Sequence, residues 1–262
     1  MDEDFSQYNS EGTELRKAQL RMLEILKVVD RICRKNNIPY WLEGGTLLGA
    51  VRHGGFIPWD DDLDICVERK NMNKLKKTLQ KELPDEYVYQ DRFTDFNFPL
   101  LISKVRDTES YIEEEYSSRL KHSGLFLDII PVERIVSQKI KSQLDYIYGH
   151  SVRSIHNAHS STWDKILSYI CFIPALFAVY IVRLFTLFTN CEKIGHVYGW
   201  SSYSLISEKS IFPLSEISFE GSRFLCPANA HQYLSSLYND YMQIPPREKR
   251  AIHSARIEIF NK

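Results

Sequence analysis

Four aspartates lie within residues 60–64, and the residues around them are largely apolar. They are Asp60, Asp61, Asp62 and Asp64. Several carboxylates buried together repel one another and lose hydration, which is unfavourable unless a cation compensates their charge. A solvated acidic loop is the simpler alternative. The apolar neighbours favour a buried cation site, and this requirement constrains the fold around the segment.

Strand periodicity separates the four aspartates into two groups. The apolar side chains between Leu63 and Val67 predict a buried strand, on which side chains two residues apart share a face. Asp62 and Asp64 therefore point together, and Asp60 has the same parity. Asp61 has the opposite parity and is predicted to be a turn or capping residue. Hard carboxylate oxygens suit Mg²⁺ or Mn²⁺, which also bind substrate phosphates.

A Gly-Gly pair precedes the aspartates and opens a predicted helix. Gly44 and Gly45 permit close approach of a ligand to the backbone, and a helix N-terminus offers free N–H groups to an anion. Thr46 is predicted to cap this helix or to donate to a phosphate. Arg52 adds a fixed positive charge suited to phosphate oxygens. His53 is a further phosphate-binding candidate, with a structural hydrogen bond as its alternative.

A third acid lies on another predicted strand, within residues 124–130. Leu127 and Ile129 point to one face of this strand, so Asp128 emerges on the other. An ordinary edge-strand aspartate is the alternative interpretation. Lys104 is predicted to place a cation over the same face, where it either binds phosphate or remains a solvated lysine.

These motifs resemble the nucleotidyltransferase superfold, in which a Gly-Gly turn precedes an acidic pair and a third acid on a neighbouring strand. The string GGTLLGAVRHGGFIPWDDDLDI, residues 44–65, resembles the LicD family, which includes bacterial phosphocholine transferases and, more distantly, the fukutin-related proteins. Further segments follow in the family's order: LFLDIIPVE (125–133), IFP (211–213), FEG (219–221) and the block at 233–253. One departure is Asn239, which stands where the family commonly has glycine; asparagine tolerates a positive φ better than most residues.

The resemblance implies a metal-dependent phosphotransferase that moves phosphocholine from CDP-choline to a hydroxyl of a cell-surface glycan or its lipid-linked precursor, as in modification of lipopolysaccharide, teichoic acid or capsule. Asp62, Asp64 and Asp128 are the implied ligands of Mg²⁺ or Mn²⁺, and Asp128 or Asp60 is the implied general base. The residues expected to bind substrate are Gly44, Gly45, Thr46, Arg52, His53 and Lys104. Nucleotidyl transfer and transfer of another group from a CDP-linked donor, such as ribitol phosphate, remain alternatives, and a silent binding module is a third.

Aromatic residues offer a candidate cage for a quaternary ammonium such as choline. They are Trp200, Tyr203, Tyr238 and Tyr241. The chain has 15 tyrosines, so chance proximity is the alternative.

Composition excludes several other classes. A net charge of −1 gives no overall attraction to nucleic acid, so we expect no nucleic-acid partner. The five cysteines are scattered, which favours a reducing compartment over a disulfide framework. The acidic N-terminus has no features of a secretory signal, so we expect a cytoplasmic protein, with the inner face of the cytoplasmic membrane as a further expectation. The oligomeric state stays open.

Mixed helical and strand patterns predict an α+β fold: a nucleotidyltransferase-like mixed sheet flanked by helices. Helices are predicted at 14–35 and 70–81, and strands at 87–89, 100–106 and 124–130. We expect one domain over residues 1–262, with a helical insertion at 138–200.

Residues 166–182 carry no charge, and Arg183 then precedes the apolar run LFTLF. Seventeen residues are at the lower limit for a membrane span, and Pro174 lies within them. Three interpretations compete: a buried helical hairpin, a helix on a membrane surface and a true span. A peripheral membrane contact would suit an enzyme that acts on a lipid-linked glycan.

Overall fold

Secondary structure follows the hydrophobic periodicity of the chain. The computed structural model describes residues 5–114, 119–157, 159–200, 204–250 and 256–260. The helices are α1 (Ser6–Asn9), α2 (Glu14–Lys35), α3 (Gly44–His53), α4 (Met72–Glu82), α5 (Gln138–Leu144), α6 (His150–His156), α7 (Thr162–Thr186), α8 (Glu208–Ile211) and α9 (Ala230–Tyr238). The strands are β1 (Trp41–Leu42), β2 (Asp64–Glu68), β3 (Tyr87–Gln90), β4 (Ser103–Asp107), β5 (Ser110–Ile112), β6 (Phe126–Arg134), β7 (Lys193–His196), β8 (Ile206–Ser207), β9 (Ser215–Phe219), β10 (Ser222–Cys226) and β11 (Ile257–Ile259).

Helix α2 has the predicted limits. The Thr13 hydroxyl accepts a hydrogen bond from Arg16 N at 3.2 Å and so caps the first turn. Apolar residues at helical spacing bury one face, among them Met22, Ile25 and Val29. This face packs on β4, β6 and α4. The helix thereby covers one side of the sheet that carries the predicted aspartates.

The largest sheet has β6 at its centre. Its main order is β1-β2-β6-β4-β3, and β7 also pairs with β6 and with β8. The β2/β6 pair is parallel, whereas β1/β2, β4/β6, β3/β4 and β6/β7 are antiparallel. A mixed sheet with helices packed on it confirms the predicted α+β fold. Strand β6 extends four residues beyond the predicted 124–130, because its second half pairs with both β2 and β7.

A second, smaller apolar cluster lies beside the sheet domain. Helices α5 and α6, joined by a π-helical turn at Asp145–Gly149, pack on α7 and enclose Tyr148, Val152 and Val179. Most of this cluster comes from residues 138–200. The interpretation of that segment as an insertion within a single domain stays a prediction.

The buried-hairpin interpretation of residues 166–182 is wrong. They form part of one continuous helix, α7, that includes Pro174 and leaves most of its large apolar side chains exposed. A proline removes one backbone donor and bends a helix without necessarily ending it. In the part of the chain that the structure describes, α7 is the one helix long and apolar enough to cross a membrane, on length and composition alone.

Candidate active site

Backbone and side-chain hydrogen bonds join the start of α3 to the start of β2. Glu43 N donates to Asp64 O at 3.1 Å, and Asp64 N donates to the Thr46 hydroxyl at 2.8 Å. Glu43, rather than Thr46, is the N-cap residue of α3. The predicted capping role of Thr46 is therefore wrong, because the helix already begins at Gly44. The Thr46 hydroxyl instead accepts the hydrogen bond from the backbone N–H of Asp64, the first residue of β2.

Both glycines lie against carboxylates. Gly44 has φ +48°, and a Cβ added there would lie 3.7 Å from Asp64 Oδ2. A Cβ on Gly45 would lie 2.7 Å from Asp60 Oδ2 and 4.0 Å from Asp62 Oδ1. The predicted close approach at the Gly-Gly pair is present, and the N-terminus of α3 lies beside three of the aspartates. The positive end of a helix stabilises negative charge at such a position.

The sheet register brings the third acid to the same place. Asp64 is paired with Asp128 across the parallel β2/β6 ladder, and Asp128 N donates to Leu63 O at 2.8 Å. Asp62 precedes the strand, and its Oδ1 would lie 4.0 Å from a Cβ on Gly45, beside the N-terminus of α3. Asp61 is buried, consistent with its predicted structural role. The structure thus gathers Asp60, Asp62, Asp64 and Asp128, which are up to 68 residues apart in sequence, into one acidic cluster.

Burial and mutual repulsion both act on this cluster. Burial, followed by the charges of Asp62 and Asp128, raises the pKa of Asp64 well above its usual value. Burial raises the pKa of Asp60 well above its usual value too, helped by Asp62 and opposed by Arg52. The pKa of Asp128 rises to about 6, because burial outweighs the attraction of Lys104. Charge of this density favours a bound cation.

Lys104 is placed over Asp128 as predicted, but it is not a solvated lysine. Its Nζ lies 2.9 Å from Asp128 Oδ1 and 2.8 Å from Glu114 Oε1, and 3.2 Å from the centroid of the Phe126 ring. Glu114 also receives a hydrogen bond from Arg106 at 2.6 Å. Lys104 is therefore already paired with two carboxylates. Its main effect in this structure is to keep Asp128 oriented and partly ionised, so the geometry does not support direct phosphate binding.

Arg52 and His53 make contacts other than the predicted phosphate contact. The Arg52 guanidinium donates to Tyr241 O at 2.8 Å and to Gln243 O at 3.3 Å, which ties α3 to the segment after α9. His53 packs edge-on against Phe5, with ring centroids 5.7 Å apart. Burial and the adjacent Arg52 lower the pKa of His53 to about 4, so the imidazole is neutral at physiological pH. A neutral, aromatic-packed ring does not provide the expected phosphate charge.

A buried network behind the aspartates was not predicted. The Tyr233 hydroxyl donates to Glu43, whose other oxygen lies 3.4 Å from His196 Nε2. Cys66 shares the strand face of Asp64, and its sulfur, the Glu43 carboxylate and the His196 ring lie within 4.8 Å of one another. The position of Glu43 directly before the glycines was the available signal. The contributions of Tyr233 and His196 depend on long-range contacts that no local pattern reveals.

Of the candidate cage residues, Tyr238 lies beside the acidic cluster of aspartates. Its hydroxyl would be 3.4 Å from a Cβ on Gly44, and burial, then the charges of Glu43 and Asp64, raise the pKa of its phenol. Tyr241 bonds through its hydroxyl to His231 at 2.8 Å, and Tyr203 lies outside the described residues. The cage stays a prediction.

The carboxylates fit a divalent cation in charge and chemistry. Asp128 Oδ1 is a buried oxygen that accepts no well-directed hydrogen bond from the described residues, despite the nearby ammonium. Burial and the neighbouring Asp62 hold the pKa of Asp60 well above its usual value, so a cation would relieve the repulsion between these two acids. Among described residues, the donor atoms already gathered within 4.8 Å belong to Glu43, Cys66 and His196 rather than to the aspartates. Metal binding by Asp62, Asp64 and Asp128 therefore requires small side-chain movements, and it stays a prediction.

Comparison with known proteins places this geometry in a family. Residues 37–163 match the family described as LicD/FKTN/FKRP, nucleotidyltransferase domain. The chain is 26% identical over 257 residues to the lipopolysaccharide cholinephosphotransferase LicD of Haemophilus influenzae, covering 91% of this chain and 95% of that protein.

Two other relatives match over shorter segments. The human ribitol 5-phosphate transferase FKRP is 50% identical over 44 residues, 17% of this chain and 9% of that protein. The mannosyltransferase regulator 4 of Saccharomyces cerevisiae is 25% identical over 114 residues, 42% of this chain and 10% of that protein. The LicD and FKRP names both describe transferases of phosphorus-containing groups, the enzyme class that the sequence predicted. Residues 37–163, with the glycine pair and all four clustered aspartates, therefore form a nucleotidyltransferase domain of the LicD family.

Proposed function

We propose that this chain transfers phosphocholine from CDP-choline to a hydroxyl of a cell-surface glycan or of its lipid-linked precursor. The enzyme class follows from the family, and the choice of group follows from the nearly full-length similarity to the cholinephosphotransferase LicD. We place the reaction in the cytoplasm, where a CDP-linked donor would be available.

One structural observation carries the proposal. The Asp64 and Asp128 pair lies directly beside the N-terminus of α3, where the Gly44-Gly45 backbone closely approaches Asp60 and Asp64. A divalent cation bound by acids and a helix N-terminus that attracts anions would then face the same space. A diphosphate needs both, because its oxygens carry charge that must be neutralised for the transferring phosphorus to be attacked.

Each group has a definite task in this scheme. Asp62, Asp64 and Asp128 would hold Mg²⁺ or Mn²⁺, which when bound neutralises diphosphate oxygens and the leaving group. The free N–H groups at the start of α3 orient the donor phosphates. The acceptor hydroxyl oxygen forms a bond to the distal phosphorus, the phosphorus bond to the bridging oxygen breaks, and CMP leaves. Asp60 accepts the hydroxyl proton when Asp128 holds the cation; Asp128 takes that role only in a scheme in which it is not a metal ligand.

Lys104 supports this chemistry indirectly. By pairing with Asp128 it limits the rise in the pKa of that carboxyl, which keeps a fraction of it ionised near neutral pH. In the absence of a cation, a carboxyl with a pKa of about 6 could accept a proton at pH 7.

The second candidate is transfer of ribitol phosphate, which the similarity to FKRP favours. A donor panel separates the candidates. The purified chain is incubated with Mg²⁺, an acceptor glycolipid fraction and either CDP-choline, CDP-ribitol or a nucleoside triphosphate. We expect CMP release from CDP-choline. CMP release from CDP-ribitol alone would show that the transferred group is ribitol phosphate and not phosphocholine. Pyrophosphate release from a triphosphate would indicate nucleotidyl transfer.

The site itself is tested with Asp64→Asn and with Asp85→Asn as the matched control. Asp85 is an exposed aspartate in the loop between α4 and β3. We expect Asp64→Asn to abolish transfer and Asp85→Asn to leave it unchanged, with both variants folded by circular dichroism. Substantial transfer by Asp64→Asn would refute the assigned site. Metal-dependent donor binding without turnover of any donor would instead indicate a binding module.

A further inference from the structure

Helix α7 presents a long apolar surface outside the candidate site. Residues 166–182 carry no charge, and most of their large side chains are exposed. One exposed row consists of Leu167, Ile170, Ile173, Phe177, Ile181 and Leu184. A helix of 25 residues is about 37 Å long. The 17 uncharged residues 166–182 span about 26 Å of it, and an apolar surface of this length on a globular domain indicates a site of interaction.

The way α7 packs excludes one kind of membrane contact. Its opposite, narrow stripe is buried on the domain through Ser168, Ala175 and Val179. Near its C-terminal end, Arg183 binds Glu133 of β6 through two hydrogen bonds of 2.8 and 2.7 Å. A helix attached along its length to the domain cannot cross a bilayer without detaching. The exposed side is therefore available to a surface that lies flat against it.

The C-terminal end of α7 borders a basic cavity. This open cavity of about 330 Å³ is lined by four basic and two acidic side chains together with the exposed Leu187. Lys70 and Arg134 line it and keep 71% and 54% of their side chains exposed, although each pairs with a glutamate. Basic groups beside an apolar surface complement anionic lipid headgroups above an acyl layer.

We propose that the exposed face of α7 docks on an anionic lipid bilayer, with its apolar row at the boundary of headgroups and acyl chains and the basic cavity against phosphate groups. Between residues 166 and 182 the exposed side of α7 is a convex cylinder without charge, which a fluid bilayer can accommodate without a preformed groove. Trp163 lies near the N-terminal end and is 79% exposed, and indole rings favour the membrane interface.

Docking would also fix the orientation of the candidate site. Glu133, which holds α7, follows Asp128 by five residues on the same strand, a separation of about 16 Å. The acidic cluster would thus be held at a constant position relative to the lipid surface. The docking proposal does not depend on the identity of the transferred group.

Vesicle sedimentation of the full chain tests the proposal. The probes are vesicles of phosphatidylcholine alone and vesicles that also contain phosphatidylglycerol. We expect binding to the mixed vesicles, weakened by high salt, and a loss of about tenfold or more in the double variant Ile173→Glu/Phe177→Glu. The control is Leu20→Glu, an exposed leucine on α2 that should bind as the native chain does.

Tryptophan emission provides a second measurement that needs no charged variant. Of the four tryptophans, Trp41 and Trp59 are buried and Trp200 is partly buried against the core, so a vesicle-induced blue shift should come from the exposed Trp163 and should be lost in Trp163→Phe. The proposal is overturned if the native chain fails to bind mixed vesicles or if the double variant binds them equally well. It is also overturned if the native chain forms a dimer that the double variant dissolves while vesicles remain unbound, since the face would then cover a second copy. None of these readouts uses transfer activity.

Discussion

Replacing Gly45 by alanine should separate catalysis from stability. Gly45 lies within α3 outside the left-handed region, so the helix itself accepts alanine and would usually be stabilised by up to about 1 kcal/mol. The new Cβ, however, would lie 2.7 Å from Asp60 Oδ2, whereas ordinary contact begins at 3.4 Å. The Asp60 carboxylate must therefore move by about 0.7 Å. Misplacement on this scale costs between about tenfold and a hundredfold in rate.

Gly44→Ala is the matched comparison, because its conflict lies in the backbone. At φ +48° an alanine is strained by about 1 to 2 kcal/mol, while its Cβ would keep 3.4 Å from Tyr238 and 3.7 Å from Asp64. We expect Gly44→Ala to lower the denaturant midpoint more than Gly45→Ala does, and Gly45→Ala to lower CMP release more than Gly44→Ala does. Transfer rates are measured with the donor found active in the panel, and stability by urea unfolding. Full activity in a folded Gly45→Ala variant would refute the role of the Asp60 position.

The other two predictions concern stability. In the absence of metal, the free energy of unfolding should fall as pH rises from about 4 through 6, because Asp128 has a folded pKa of about 6 against a usual 3.8 and must lose its proton while buried. The complete loss of stability from this one group, reached above pH 6, is about 3 kcal/mol. Mg²⁺ should therefore raise the melting temperature at pH 7.5 more than at pH 5, and equal shifts at both would contradict a site built on these carboxylates. Asn239→Gly should stabilise the chain by about 1 kcal/mol in urea unfolding. Asn239 has φ +56° with ψ −107°, a conformation in which glycine is unstrained. An unchanged urea midpoint would show that the asparagine is not strained.

Local patterns carried the predictions that succeeded. The limits of α2 follow from its cap and its apolar spacing. Asn239 has a positive φ, the conformation that a glycine at this place in the family suggested. Each of these features depends on residues within a few positions of one another, so a single sequence contains the information.

The predictions that failed concern side chains whose partners are distant in sequence. Thr46 looked like a cap because it starts an apolar helix, but the hydroxyl binds Asp64, eighteen residues later. The Arg52 guanidinium binds carbonyls some 190 residues away, a contact that its place near the glycines did not reveal, and its phosphate role stays a prediction. Parity and composition cannot indicate such partners.

The sequence by itself determined that this chain has an acidic strand after a Gly-Gly helix start, a third acid on another strand and an apolar segment at 166–182, because periodicity and residue chemistry are local properties. Only the tertiary structure decided that Asp128 lies opposite Asp64, that Lys104 is paired, that Glu43 is buried with Tyr233, and that the apolar segment is one exposed helix. These outcomes depend on strand register and on contacts between elements, which are set by the packing of the whole core rather than by any one segment.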